Sequence, residues 1–94
     1  MRISGGSNKG RKLAAFTGKA IRPTPDKVRQ AVFNITGSLG HEYKNILDIF
    51  AGTGAMGLEA LSRSHLEEAH CVFVDSDPKA AEVIRKNIGT CKEE

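Results

Sequence analysis

From residue 46 onward the apolar positions follow two alternating patterns. Ile46-Leu-Asp-Ile-Phe50 and Cys71-Val-Phe-Val74 are short apolar runs of strand type, and each leads into a segment with helical spacing. The first run breaks into Ala51-Gly-Thr-Gly-Ala-Met-Gly57 and opens a helix to about Arg63 that buries Leu58 and Leu61. The second ends at Asp75. Asp77 then caps a helix starting at Pro78, whose inward stripe is Ala81, Ile84 and Ile88, with Glu82 and Lys86 spaced for an i, i+4 pair outside. Strand, helix, strand, helix in that order predicts parallel strands joined by a right-handed crossover, an α/β arrangement.

Upstream, Thr24, Pro25 and Asp26 carry the signals of a helix start, and Gly37 those of a stop. Between them Val28, Ala31, Val32 and Ile35 form one apolar stripe, while Lys27 and Arg29 fall off it and are free to face solvent or a ligand. Residues 2–13 read as a small hairpin around Gly5-Gly-Ser-Asn-Lys-Gly10. The expected organisation is one partial domain over 1–94. It divides into a basic hairpin arm and connector (1–23), a helix (24–37), a polar link, and a β-α-β-α half (46–94).

Charge separates these parts more sharply than hydropathy does. Residues 1–29 hold eight bases and one acid, a net +7, whereas residues 30–94 hold six bases and ten acids, a net −4. A discrete basic arm points to a polyanion such as nucleic acid; the alternative is a solvated, flexible terminus. No apolar run is long enough to span a membrane, and Met-Arg-Ile-Ser-Gly-Gly lacks a signal-peptide core. Cys71 and Cys91 have no metal-ligand spacing, so a reduced, cytoplasmic protein without a metal is expected.

Gly52-Thr-Gly-Ala-Met-Gly57 fits G-x-G-x-x-G after a strand and before a helix, with Asp75 ending the next strand where it can accept ribose hydroxyls. A dinucleotide site presents its helix start to an anionic pyrophosphate. Asp48, four residues before the first glycine, works against that and favours a cationic ligand, S-adenosylmethionine. Capping of the loop by Asp48 is the competing role, and the two can coexist.

Asp48-Ile-Phe-Ala-Gly-Thr-Gly54 resembles motif I of Rossmann-like methyltransferases. Ile3-Ser-Gly-Gly6, Lys9-Gly-Arg-Lys-Leu13, Arg22-Pro-Thr-Pro-Asp-Lys-Val-Arg29, Ala31-Val-Phe-Asn-Ile35 and Gly57-Leu-Glu-Ala-Leu-Ser-Arg63 narrow the match. Together they resemble the bacterial small-subunit (16S) ribosomal RNA (guanine-N2)-methyltransferases. The resemblance implies the amino-terminal part of a Rossmann-like S-adenosylmethionine-dependent fold that methylates the exocyclic N2 amine of a guanine. It implies cofactor contacts at Asp48, Phe50, Ala51, Gly52, Thr53, Gly54 and Asp75. Contacts to 16S ribosomal RNA or the small subunit fall on Arg2, Lys9, Arg11, Lys12 and Arg22.

That family's Asn/Asp-Pro-Pro-Tyr/Phe catalytic loop has no counterpart here, since the prolines are Pro23, Pro25 and Pro78. With His41, His65 and His70 in links, no catalytic residue is assigned. An amino-terminal fragment is expected, with an unpaired strand edge that invites self-association. Two other readings use the same residues. One is a non-catalytic RNA-binding module. The other, a nicotinamide-dependent oxidoreductase fragment, is opposed by Asp48 and the Arg-Pro-Thr block.

Overall fold

The computed structural model describes residues 1–14, 26–38, 40, 44–49, 51–64 and 68–91. Its elements are α1 (Asp26–Ser38), β1 (Asn45–Ile49), α2 (Ala55–Arg63), β2 (His70–Val74) and α3 (Pro78–Cys91). β1 and β2 pair in parallel, Asn45 opposite His70 and Asp48 opposite Phe73, with α2 as the connection. A parallel pair requires such a crossover, because a hairpin turn cannot reverse the chain twice. His70 opens β2 instead of lying in the link before it. Thr24, Pro25, His41, His65, Arg22 and Phe50 lie outside the described residues.

The amino-terminal segment is a docked hairpin and not a free arm. Ile3 N–H donates to the Arg11 carbonyl at 3.0 Å and Gly10 N–H to the Ile3 carbonyl at 2.8 Å, with Arg2 bridged to Lys12. Alternation then sends Ile3 and Leu13 inward, where they join Ala55, Leu58 and Cys91 in the core; Met1, Leu61, Phe73 and Ile88 pack around them. The hairpin also closes the end of α2. Ser7 N–H donates to the Ser62 carbonyl at 2.8 Å, and Ser62 Oγ lies 2.6 Å from the Gly5 carbonyl. A helix end leaves carbonyls without intrahelical partners, and here the hairpin supplies one.

A buried carboxylate fastens the hairpin to both helices. Glu59 is fully buried on α2. Its Oε1 accepts from Ser4 N–H and Oγ, each at 2.8 Å, and from Arg29 Nε at 3.1 Å. Oε2 accepts from Gly5 N–H at 3.0 Å and Arg63 Nε at 2.7 Å. The Arg29 guanidinium also reaches the Arg2 carbonyl, and that of Arg63 lies over the Phe33 ring.

This network overturns the expected face of α1. Arg29 and Phe33 are buried, while Val28, Val32 and Ile35 are exposed. The arginine goes inward because Glu59 offers it a charge partner, without which a buried guanidinium would be prohibitive. Leu47, Ile49, Val72 and Val74, on one face of the sheet, are also 45–61% exposed.

The stripe of α3 is rotated in the same way. Ala80, Ile84, Asn87 and Cys91 are buried, whereas Ala81 is exposed and Ile88 only half-buried. Asn87 is drawn in because three backbone groups satisfy its amide. Asp77 caps this helix as expected, its Oδ1 accepting from Lys79 N–H at 2.9 Å.

Candidate functional site

The glycine loop leaves β1, passes the end of β2 and enters α2. Ala51 N–H donates to the Val74 carbonyl at 2.9 Å, so the loop starts as a continuation of the sheet. Gly52 and Gly54 have φ of 57° and 82°, the left-handed region that glycine adopts without steric cost. Gly54 is the residue from which α2 starts: its N–H donates to the Ala51 carbonyl at 2.8 Å, and its own carbonyl accepts from Leu58 N–H.

Two carboxylates hold this turn. Asp48 points to the half-buried side of β1, and its Oδ2 accepts from Gly57 N–H at 3.0 Å. Burial raises the Asp48 pKa, with a further push from the Asp75 charge; the Gly57 bond opposes both. Asp75 accepts from Asp77 N–H on one oxygen and Gly52 N–H on the other, both at 2.9 Å. These backbone bonds hold its carboxyl below the usual range, so it is a carboxylate at neutral pH. Burial, with the Asp48 charge beside it, pushes the Cys71 thiol up to about 11 and keeps it protonated.

The third glycine is a packing requirement. A Cβ on Gly57 would lie 2.4 Å from Phe73 Cε1 and 2.7 Å from Cys71 Sγ. Gly57→Ala is therefore expected to destabilise the protein by about 1–3 kcal/mol, measurable by urea unfolding, as α2 lifts from β2. Unchanged unfolding would show that the ring and thiol move aside freely.

Of the expected cofactor contacts, Ala51, Gly52 and Gly54 form the loop, with Asp75 bonded to Gly52. Asp48 feels the Asp75 charge, but the two carboxylates line different hollows, that of Asp75 being shared with Phe73, Ile84 and Arg85. Thr53 belongs to the loop, but its side chain turns into the core. Its Oγ1 lies 3.3 Å from Ala55 N and 3.7 Å from Met1 Sδ. Beside Asp48, a cleft of about 580 Å³ is lined by Val32, Phe33, Ile46, Met56 and Gly57, among others. Arg2, Lys9, Arg11 and Lys12 are all exposed on the hairpin, with Arg11 also donating to the Thr90 carbonyl of α3 at 2.9 Å.

The family model described as "Conserved hypothetical protein 95" matches residues 1–94. The chain belongs to this family. Its relatives include a Bacillus subtilis protein named "Putative rRNA methyltransferase YlbH", 46% identical over 96% of this chain and 47% of its own length. The Escherichia coli (strain K12) "Ribosomal RNA small subunit methyltransferase D" is 39% identical over 98% of this chain and 44% of its own length. Among solved structures, "Putative methyltransferase yhhF" from Escherichia coli superposes with a TM-score of 0.77 at 37% identity, covering 98% of this chain and 47% of that one. The α/β arrangement is thus that of a Rossmann-like methyltransferase fold in part, and the chain spans just under half the length of these relatives.

Val32, Phe33 and Met56 line the cleft although the sequence marks none of them as a site residue. The pattern puts Val32 in the core stripe of α1 and Phe33 only within a block of resemblance, whereas Met56, between Gly54 and Gly57, had its place in the motif as the available signal. Glu59 and Arg63 sit in a segment matched for resemblance alone, and their opposite charges at i, i+4 were the clue to a pair. Among the described residues no cluster of three metal-ligating side chains occurs, and no helix is long and apolar enough to cross a membrane.

Proposed function

We propose that the protein is an S-adenosylmethionine-dependent methyltransferase acting on the exocyclic N2 amine of a guanine in 16S ribosomal RNA. This chain carries the methyl-donor half and part of the RNA surface, and the catalytic Asn/Asp-Pro-Pro-Tyr/Phe element is supplied from outside residues 1–94. The observation that carries the cofactor assignment is the use of the loop's own donors. Gly52, Gly54 and Gly57 N–H groups bond to Asp75, the Ala51 carbonyl and Asp48. A pyrophosphate needs such donors open at a helix start and no carboxylate beside them. A ligand with a cationic end and a ribose has the opposite requirements, which two carboxylates meet.

The residues fit that ligand. Asp75 keeps a lone pair on each oxygen after its backbone bonds and can accept from both ribose hydroxyls. Asp48, in an otherwise largely apolar cleft wall, faces the cationic end and stabilises it electrostatically in a low-dielectric setting. Phe50, Ala51 and Thr53 complete the contact set through the loop, and glycine at 52 and 54 lets the backbone approach closely. When bound, S-adenosylmethionine supplies a methyl group on a sulfonium centre, open to attack by an amine. The chain's contribution to that reaction is to position and orient the methyl donor, and the proton that the amine loses on methylation passes to the catalytic element outside residues 1–94 or to solvent. Arg2, Lys9, Arg11, Lys12 and Arg22 engage phosphates, a contribution that sets affinity and weakens with salt but carries no sequence preference.

Titration with S-adenosylhomocysteine and, separately, with NAD tests the reading. Binding of S-adenosylhomocysteine alone is expected, weakened at least about tenfold by Asp75→Ala through loss of a charged hydrogen-bond acceptor. Binding of NAD in its place would overturn the assignment.

A further inference from the structure

Asn87 of α3 is fully buried and joins two parts of the protein given separate tasks above. Its Oδ1 accepts from Ala14 N–H at 2.7 Å, and its Nδ2 donates to the Ala14 carbonyl at 3.0 Å. The same nitrogen donates to the Thr53 carbonyl at 2.8 Å. Ala14 is the residue just past the basic hairpin, and Thr53 is the centre of the glycine loop. A second link runs beside this one, since Thr53 Oγ1 donates to the sulfur of Met1 at the start of the hairpin. Both ends of the hairpin therefore converge on one loop residue, and Arg11 pins the hairpin to the last turn of the helix that carries Asn87.

A side-chain amide can donate two hydrogen bonds and accept two, so Asn87 serves both partners at once only while the hairpin and the loop keep this spacing. An ordered hairpin holds Ala14, Ala14 holds the amide, and the amide holds the Thr53 carbonyl. Ordering either end removes conformational freedom that the other would otherwise lose on binding its own ligand. Linkage requires such a coupling to act equally in both directions.

We infer that Asn87 is a positioning residue that couples RNA binding at the hairpin to cofactor binding at the glycine loop, so that each ligand raises affinity for the other. This rests on the functional reading above and adds a regulation of the same site. Among the described residues the Thr53 carbonyl takes its bond from Asn87, while the Thr53 side chain turns to Met1 and Ala55.

The test is calorimetric titration of the protein with S-adenosylhomocysteine, with and without a saturating 16S ribosomal RNA fragment, for the natural chain and for Asn87→Ala. The natural chain is expected to bind S-adenosylhomocysteine roughly fivefold or more tightly when RNA is present, and the variant to lose that ratio whatever its basal affinity. Equal ratios in the two proteins would overturn the coupling role, as would a natural chain that binds both ligands independently. Failure to bind either ligand would instead remove the functional reading, and the inference with it. Should Asn87→Ala not fold, hydrogen exchange at the Ala14 amide of the natural chain decides. Slowing on addition of S-adenosylhomocysteine supports the link, and an unchanged rate overturns it.

Discussion

Glu59→Gln is expected to cost about 3–5 kcal/mol of folding stability at neutral pH, the range seen when one member of a buried ion pair is removed. The glutamine keeps the shape but leaves the fully buried Arg29 without a countercharge, and it offers one acceptor oxygen where two served Ser4, Gly5, Arg29 and Arg63. For a domain this small, such a loss consumes most of the stability available. Burial alone would push the Glu59 carboxyl upward, but the hydrogen bonds from Arg63, Ser4 and Arg29 together outweigh it and hold it below its ordinary 4.5. A depressed folded-state pKa contributes stability that is complete above the unfolded value and lost as pH falls through the folded one. The difference between the natural chain and Glu59→Gln should therefore be constant at neutral pH and shrink progressively below about pH 4.5. Urea unfolding across that range checks both the size and the direction. A difference that grew in acid would refute the pairing.

Gly6→Ala is expected to cost roughly 2–4 kcal/mol and to release the hairpin, because two penalties coincide. Gly6 has φ of +80°, and a Cβ there would lie 1.8 Å from the Ser62 carbonyl oxygen. The obstacle is backbone, on a helix end that cannot move without breaking the Ser7 bond. Gly10 provides the control. Its φ is +87°, but nothing lies within 4 Å of its would-be Cβ, so Gly10→Ala pays for conformation alone, about 1–2 kcal/mol. Thermal unfolding of the two variants side by side separates clash from strain. Equal losses would show that the hairpin does not sit against Ser62 in solution.

The elements carrying the candidate site were legible because each depends on local rules. A short apolar run, a turn needing positive φ, and a carboxylate ending the next strand specify the strand, loop and helix between residues 45 and 63, and Asp77 marks the start of α3 without tertiary information. What local rules could not show was which face of a helix points inward. Val28, Val32 and Ile35 make a better stripe than Arg29 and Phe33, and Ile88 a better core residue than Asn87. In both helices the buried polar side chain is fixed by a partner more than 25 positions away, Glu59 for Arg29 and Ala14 and Thr53 for Asn87. Periodicity contains no term for such partners, and it reads every polar residue as an outward one.

The hairpin's anchors also set a schedule for assembly. Its bonds to Glu59 and Ser62 span 54 to 57 positions, that between Ala14 and Asn87 spans 73, and that between Arg11 and Thr90 spans 79. Contacts so distant in sequence form slowly, because a long loop must close before any of them is gained. During synthesis, at about 5–20 residues per second, Ala14 waits roughly 4–15 s for its partner to be made. The hairpin residues thus leave the ribosome well before their anchors and are among the last to find their place, with the basic surface they carry exposed throughout the interval.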